Sequence, residues 1–153
     1  MRRFLLSLAT VILAVCAAAA QERGTTGLGP RFGVYAHTGG EPVYGVGVEM
    51  RYNISDPVRV VPSVTWLFNR DCSAEIACDL HYMFRMAKRW QLYPLAGVSV
   101  NDIRGWSPGL NVGLGTDYAV ARHIDISAGV RWLVECSRRQ NPVVAWFGTT
   151  FKF

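Results

Sequence analysis

The chain has 153 residues, half of them hydrophobic and only 18% charged, against the roughly 25% charged residues usual in soluble globular chains. Its formal net charge of +5 falls to +3 once Arg2 and Arg3 are discounted as part of a leader. So mild a charge, with no basic run, excludes a nucleic-acid role, and so apolar a composition suggests that water is not the only solvent.

The first twenty residues, "MRRFLLSLATVILAVCAAAA", have a basic start, an apolar centre and an alanine-rich end. They read as a secretory signal peptide over 1–20, cleaved after Ala20 to leave Gln21 at the mature N-terminus. Cys16 follows Val15 rather than a small residue, which argues against lipidation. No later stretch approaches the roughly twenty apolar residues of a membrane helix, so insertion into a bilayer must be by strands.

A short segment over 21–30 is expected to precede the barrel, which is assigned to 31–153. From Arg31 onward the chain divides into eight segments of period two, separated by turn residues. The first is "RFGVYAH". The second, "VYGVGVEMRYN", sets Tyr44, Val46, Val48, Met50 and Tyr52 against Gly45, Gly47, Glu49, Arg51 and Asn53. The third, Val58 to Phe68, opposes Val60, Val64 and Trp66 to Arg59, Ser63 and Thr65. The fourth, "EIACDLHYMFR", places Ile76, Cys78, Leu80, Tyr82 and Phe84 on one face. Its other face carries Glu75, Asp79, His81 and Arg85. The fifth, "RWQLYPLAGVSV", and the sixth, "GLNVGLGTDY", continue the alternation, the sixth with Asp117 on its polar face. The seventh, "HIDISAGVRWLVEC", opposes Ile126, Val130 and Trp132 to Asp125, Arg131 and Glu135. The eighth ends on "AWFGTTFKF", with Phe147, Phe151 and Phe153 on one parity.

Segments of about ten residues suit a tilted strand crossing a hydrocarbon layer. The polar parity is thin, rich in glycine and carries both charge signs, while the apolar parity carries aromatics near segment ends. The pattern predicts an all-β, eight-stranded antiparallel up-and-down transmembrane barrel with lipid outside and charges inside. Pro62 and Pro94 fall within segments three and five, where bulges are expected.

In order and spacing these segments resemble small eight-stranded bacterial outer-membrane barrels of the OmpA/OmpX type, in particular the compact outer membrane protein beta-barrel domain proteins common in Bacteroidetes. The resemblance covers essentially the whole chain. It implies a Gram-negative outer-membrane location, a monomer, and a last strand read by the barrel-assembly machinery through Phe147, Phe151 and Phe153. It also implies a periplasmic N-terminus, so the outward loops fall near Thr38 to Pro42, Asn69 to Ser73, Asn101 to Pro108 and Ser137 to Asn141. All four are short, which speaks against the long-loop adhesin and receptor roles found on this scaffold.

The inner charges Glu49, Arg51, Arg59, Glu75, Asp79, Arg85, Asp117, Asp125, Arg131 and Glu135, with His81, are expected to interdigitate as a plug of ion pairs, because an eight-stranded lumen is just filled by side chains. The alternative is a narrow pore for ions or small solutes. A third reading, lipid A modification, would need His37, His81 or His123 to meet a serine and an acid, and no nucleophile setting is recognisable. No enzyme, cofactor or metal is expected, since no His/Cys cluster has ligand spacing. "GLNVGLG" precedes no helix and fails as a nucleotide loop. Cys72, Cys78 and Cys136 are expected as free thiols. Arg70, Arg104, Arg138 and Arg139, at loop tips, form either a solvated rim or contacts to lipopolysaccharide phosphates.

Overall fold

The computed structural model describes residues 24–68, 73–103, 105–135 and 141–153. The leader, together with Arg70, Cys72, Arg104, Cys136, Arg138 and Arg139, lies outside the described residues. The described chain forms β1 (Thr26–Ala36), β2 (Val43–Ser55), β3 (Val58–Phe68), β4 (Ser73–Tyr82), β5 (Phe84–Arg85), β6 (Trp90–Asn101), β7 (Ser107–Ala121), β8 (Ile124–Glu135) and β9 (Val143–Lys152). Apart from β4 and β5, consecutive strands pair antiparallel; β9 pairs with β1, and β4 and the short β5 both pair with β6. Counting β4 and β5 as one interrupted strand, this is a closed eight-stranded up-and-down barrel. Closure removes every sheet edge.

The wall is sheared. Register partners followed from Thr26 through Tyr52, Val60, Leu80, Ala96, Val112, Trp132 and Val143 return to β1 at Ala36, ten residues further along. Shear and strand number together set a tilt of roughly 40° and an interior that side chains can fill. The β2–β3, β5–β6 and β7–β8 turns lie at the same end as Phe153, called here the turn end; the opposite end of the barrel is the loop end.

Three expectations about the wall need correction. Residues 26–30, expected ahead of the barrel, belong to β1, where Thr26 to Pro30 pair with Tyr52 to Val48. The bulges expected at Pro62 and Pro94 are absent. Pro62 keeps its register with Cys78 and Pro94 with Leu114, and each faces outward beside a gap in the ladder to its other neighbour. Pro30 sits at a similar gap toward β9. A residue with no N–H omits a bond without changing the residue count between strands. The register shifts fall instead next to turns, at Asn53/Ser55 and Ala119/Ala121.

The third correction is Arg85. Opposite the gap at Pro94, β4 ends at Tyr82, and the Met83 amide donates to the Pro57 carbonyl at 2.8 Å. Beyond that break Arg85 lies at the rim rather than in the lumen, donating at 2.6 Å to Asp56, with both side chains 68% exposed.

Outside, period-two alternation gives an unbroken apolar surface. Between the rims no outward-facing described strand position carries a charge. Exposed Tyr44, Trp66, Phe68 and Trp132 ring the loop end, and Tyr82, Phe84, Trp90, Tyr118, Phe151 and Phe153 ring the turn end. Aliphatic residues such as Val48, Val98, Val112 and Leu114 lie between. Aromatic girdles flanking an apolar band are what a bilayer with two interfaces selects. Val112→Arg, midway along β7, is therefore expected to cost about 2–4 kcal/mol, and Val120→Arg, near the turn-end rim, about 0–1 kcal/mol. Urea titration of the refolded protein in vesicles measures both, and equal costs would contradict a membrane-embedded wall.

Inside, glycine makes room for rings. Tyr93 of β6 is paired with Gly115 of β7 and its ring lies over it, so that a Cβ on residue 115 would meet the Tyr93 ring carbons at 2.5–2.6 Å and its hydroxyl oxygen at 2.7 Å. Gly115→Ala should destabilise the barrel by about 1–3 kcal/mol through overpacking. Since the three atoms nearest that Cβ all belong to Tyr93, most of the cost should vanish in a Tyr93→Leu background, a double-mutant cycle read by the same urea titration.

Candidate functional site

Most of the chemistry-bearing side chains lie in the lumen, where inner parity on six strands delivers them. Arg31 (β1), Glu49 and Arg51 (β2), Arg59 (β3), Glu75 and Asp79 (β4), Asp117 (β7) and Arg131 (β8) are all buried. Four guanidinium groups thus face four carboxylates. Charges taken from water persist only when paired and hydrogen-bonded, so this balance is a physical requirement of the fold.

The pairs form two groups. Toward the turn end, Glu49 accepts from Arg51 at 2.6 Å and lies 3.7 Å from Arg31, with the Thr150 hydroxyl donating to it at 3.3 Å. Arg51 continues to Asp117 at 3.1 Å, and Arg59 donates to the other Asp117 oxygen at 2.6 Å. The Nε of Arg59 donates to Asn53 at 3.0 Å. Toward the loop end, Arg131, with no solvent exposure, bridges Glu75 and Asp79. Asp79 also accepts from Asn111, whose own oxygen accepts from Ser99.

Apolar side chains occupy the rest of the lumen. Trp146 lies beside Tyr93 and Leu95, over Gly129, with the Arg31 guanidinium 4.7 Å from its ring. At the loop end Tyr35, Val43, Leu67, Ile103, Leu133 and Val144 pack into a second cluster, of which Leu67, Leu133 and Val144 are wholly buried. At the turn end the lumen opens into a vestibule of about 340 Å³ bordered by Asn53, Asp56, Arg59, Met83, Arg85 and Gln91.

The remaining expected residues are dispersed. His81 is buried, but stacks on Tyr93 with ring centroids 4.3 Å apart and joins no ion pair with any described residue. His37 is exposed at the loop end, and His123, at the opposite end, contacts the Lys152 carbonyl at 3.2 Å. The three histidines therefore do not converge. Asp125 pairs with Lys152 at 2.8 Å near the turn-end rim. Glu135, at the end of β8, accepts from Asn101 at 3.1 Å. Phe147, Phe151 and Phe153 face outward and exposed, and the Phe153 amide donates to the Thr26 carbonyl. Cys78 faces outward on β4. Among the described residues no group of three or more His, Cys, Asp or Glu could hold a metal ion.

Sequence reasoning missed Arg31, Asn111 and both apolar clusters. Arg31 shares the inner parity of Gly33 and Tyr35, which was signal enough to place it.

Comparison with known proteins matches this architecture. The N-terminal β-barrel domain of Pseudomonas aeruginosa OprF is similar, with a TM-score of 0.71 at 17% identity, over 87% of this chain and 100% of that one. Neisserial surface protein A gives 0.66 at 21% identity, over 84% of this chain and 96% of that one. A de novo designed transmembrane β-barrel gives 0.63 at 15%, over 87% and 98%. No family model and no curated protein sequence matches the chain. At these identities the likeness carries the fold, that of small outer-membrane β-barrels, and the designed barrel among them carries nothing finer.

Proposed function

We propose that this protein is an integral, monomeric barrel of a Gram-negative outer membrane with a structural, envelope-stabilising role, its lumen closed by side chains, and that it is not an enzyme. The observation that carries this reading is the interior: four arginines interlocked with four carboxylates beneath an apolar cluster in which Leu67, Leu133 and Val144 have no solvent exposure. Salt-bridged charge in an eight-stranded lumen leaves no water-filled path comparable to that of larger barrels.

The same reading includes delivery through a cleaved leader, assembly directed by Phe147, Phe151 and Phe153, and contacts from Arg70, Arg104, Arg138 and Arg139 to lipopolysaccharide phosphates. Unlike a porin, the barrel would hold the envelope through its outer surface.

Two experiments test it. Fractionated cells should carry the chain in the outer membrane, and the unboiled protein should migrate differently from the boiled one. Vesicles containing the folded barrel should retain an imposed potassium gradient as well as empty vesicles do. Recovery in the periplasm or rapid dissipation of the gradient would overturn the location or the closed lumen, respectively.

A further inference from the structure

At the turn end two neighbouring hairpins carry an unbalanced positive charge. The β5–β6 turn is tight, with reciprocal backbone bonds between Ala87 and Trp90 that leave Lys88 and Arg89 at its tip. Next to it, Arg122 and His123 form the tip between β7 and β8, where Ala121 pairs with Ile124. The two tips are tied together: the Ala119 amide donates to the Arg89 carbonyl at 2.8 Å, and Trp90 is the register partner of Tyr118.

Lys88, Arg89 and Arg122 are all exposed and form no ion pair with any described residue. The nearby acids are committed elsewhere, Asp56 to Arg85 and Asp125 to Lys152. Directly below the three cations is an apolar shelf of Met86, Trp90, Tyr118 and Val120, each 48–66% exposed and facing outward.

From this juxtaposition we infer that Lys88, Arg89 and Arg122 form a binding site for the headgroup of an anionic phospholipid in the leaflet at the turn end, with its acyl chains lying against Trp90, Tyr118 and Val120. Adjacent hairpin tips two strand spacings apart stand about 10 Å from one another, so one phosphodiester can be approached from both sides. A guanidinium offers a planar fork to phosphate oxygens, and Lys88 adds a point charge. The aromatic rings sit at the interfacial depth where Trp and Tyr are favoured. The vestibule is a poorer place for such a lipid, because its Arg59 is already held by Asp117 and Asn53.

The inference rests on the bilayer-embedded reading, and the test separates the two. The barrel is reconstituted in phosphatidylcholine vesicles containing a trace of spin-labelled phosphatidylglycerol or spin-labelled phosphatidylcholine, and the motionally restricted fraction of each label is measured. Heat-dependent migration of the same sample reports folding. The expected result is a preference for phosphatidylglycerol on the order of fivefold or more, lost in a Lys88→Gln/Arg89→Gln/Arg122→Gln variant that still shows the heat shift. A folded barrel with equal labels, or a preference that survives in the variant, overturns the lipid site alone. Absence of the heat shift in the unaltered protein overturns the embedding, and the site with it.

Discussion

Replacing Arg131 with alanine is expected to cost the barrel about 3–5 kcal/mol, the penalty for leaving a buried charge without its partner. Among the described residues Arg131 alone bridges Glu75 and Asp79, and it has no contact with solvent. Its removal leaves two buried carboxylates without their cation beneath an apolar cluster. The urea midpoint of the folded, heat-shifting band should fall accordingly. A combined Arg131→Met/Glu75→Gln/Asp79→Asn variant should recover most of the loss, since neutralising all three charges removes the imbalance rather than the volume. If Arg131→Ala unfolds at the wild-type midpoint, the pairs contribute nothing to holding the lumen shut.

Trp146→Ala should be comparably damaging, about 3–5 kcal/mol, for a different reason. Trp146 is the largest side chain in the inner cluster with Tyr93 and Leu95, and its ring lies over Gly129. The glycine side of that pair cannot expand to fill the void. Truncation also removes the aromatic face beneath Arg31, whose guanidinium has one nitrogen with no hydrogen-bond partner. Two consequences should appear together: a lowered urea midpoint, and ion leakage through folded barrels in vesicles that are tight with the unaltered protein. Trp146→Phe, which keeps a ring above Gly129, should fall between the two. A stable, tight Trp146→Ala barrel would show that the closure lies elsewhere.

The wall was legible in the sequence because lipid outside and charge inside impose opposite demands on alternate residues, and a period of two survives turns and register. The inward placement of Glu49, Arg51, Arg59, Asp117 and Arg131 follows from that alone. Their partners do not. Arg59 meets Asp117 across 58 residues, and Arg131 meets Asp79 across 52, pairings set by the ten-residue shear that no local pattern encodes. Arg85 keeps the inner parity, opposite Gln91, but stands past the end of β4 at the rim, where the inner face meets solvent rather than the lumen. The apolar end of the lumen was recoverable in principle: Tyr35, Val43, Leu67, Leu133 and Val144 break the polar inner parity, and each lies at the loop end of its strand. Noticing that shared end requires folding the hairpins together first. The basic tips at Lys88, Arg89 and Arg122 were plain as residues, but their adjacency comes only from the β6–β7 pairing.

The proposed closure of the lumen is tested most directly by single-channel recording of the refolded mature chain in a planar bilayer, with the boiled sample as control and the heat shift establishing that the protein is folded. A silent bilayer is the predicted result, with current steps appearing only when Trp146 is truncated. Reproducible unitary steps from the unaltered protein would contradict a side-chain plug and would make the buried charges the lining of a pore.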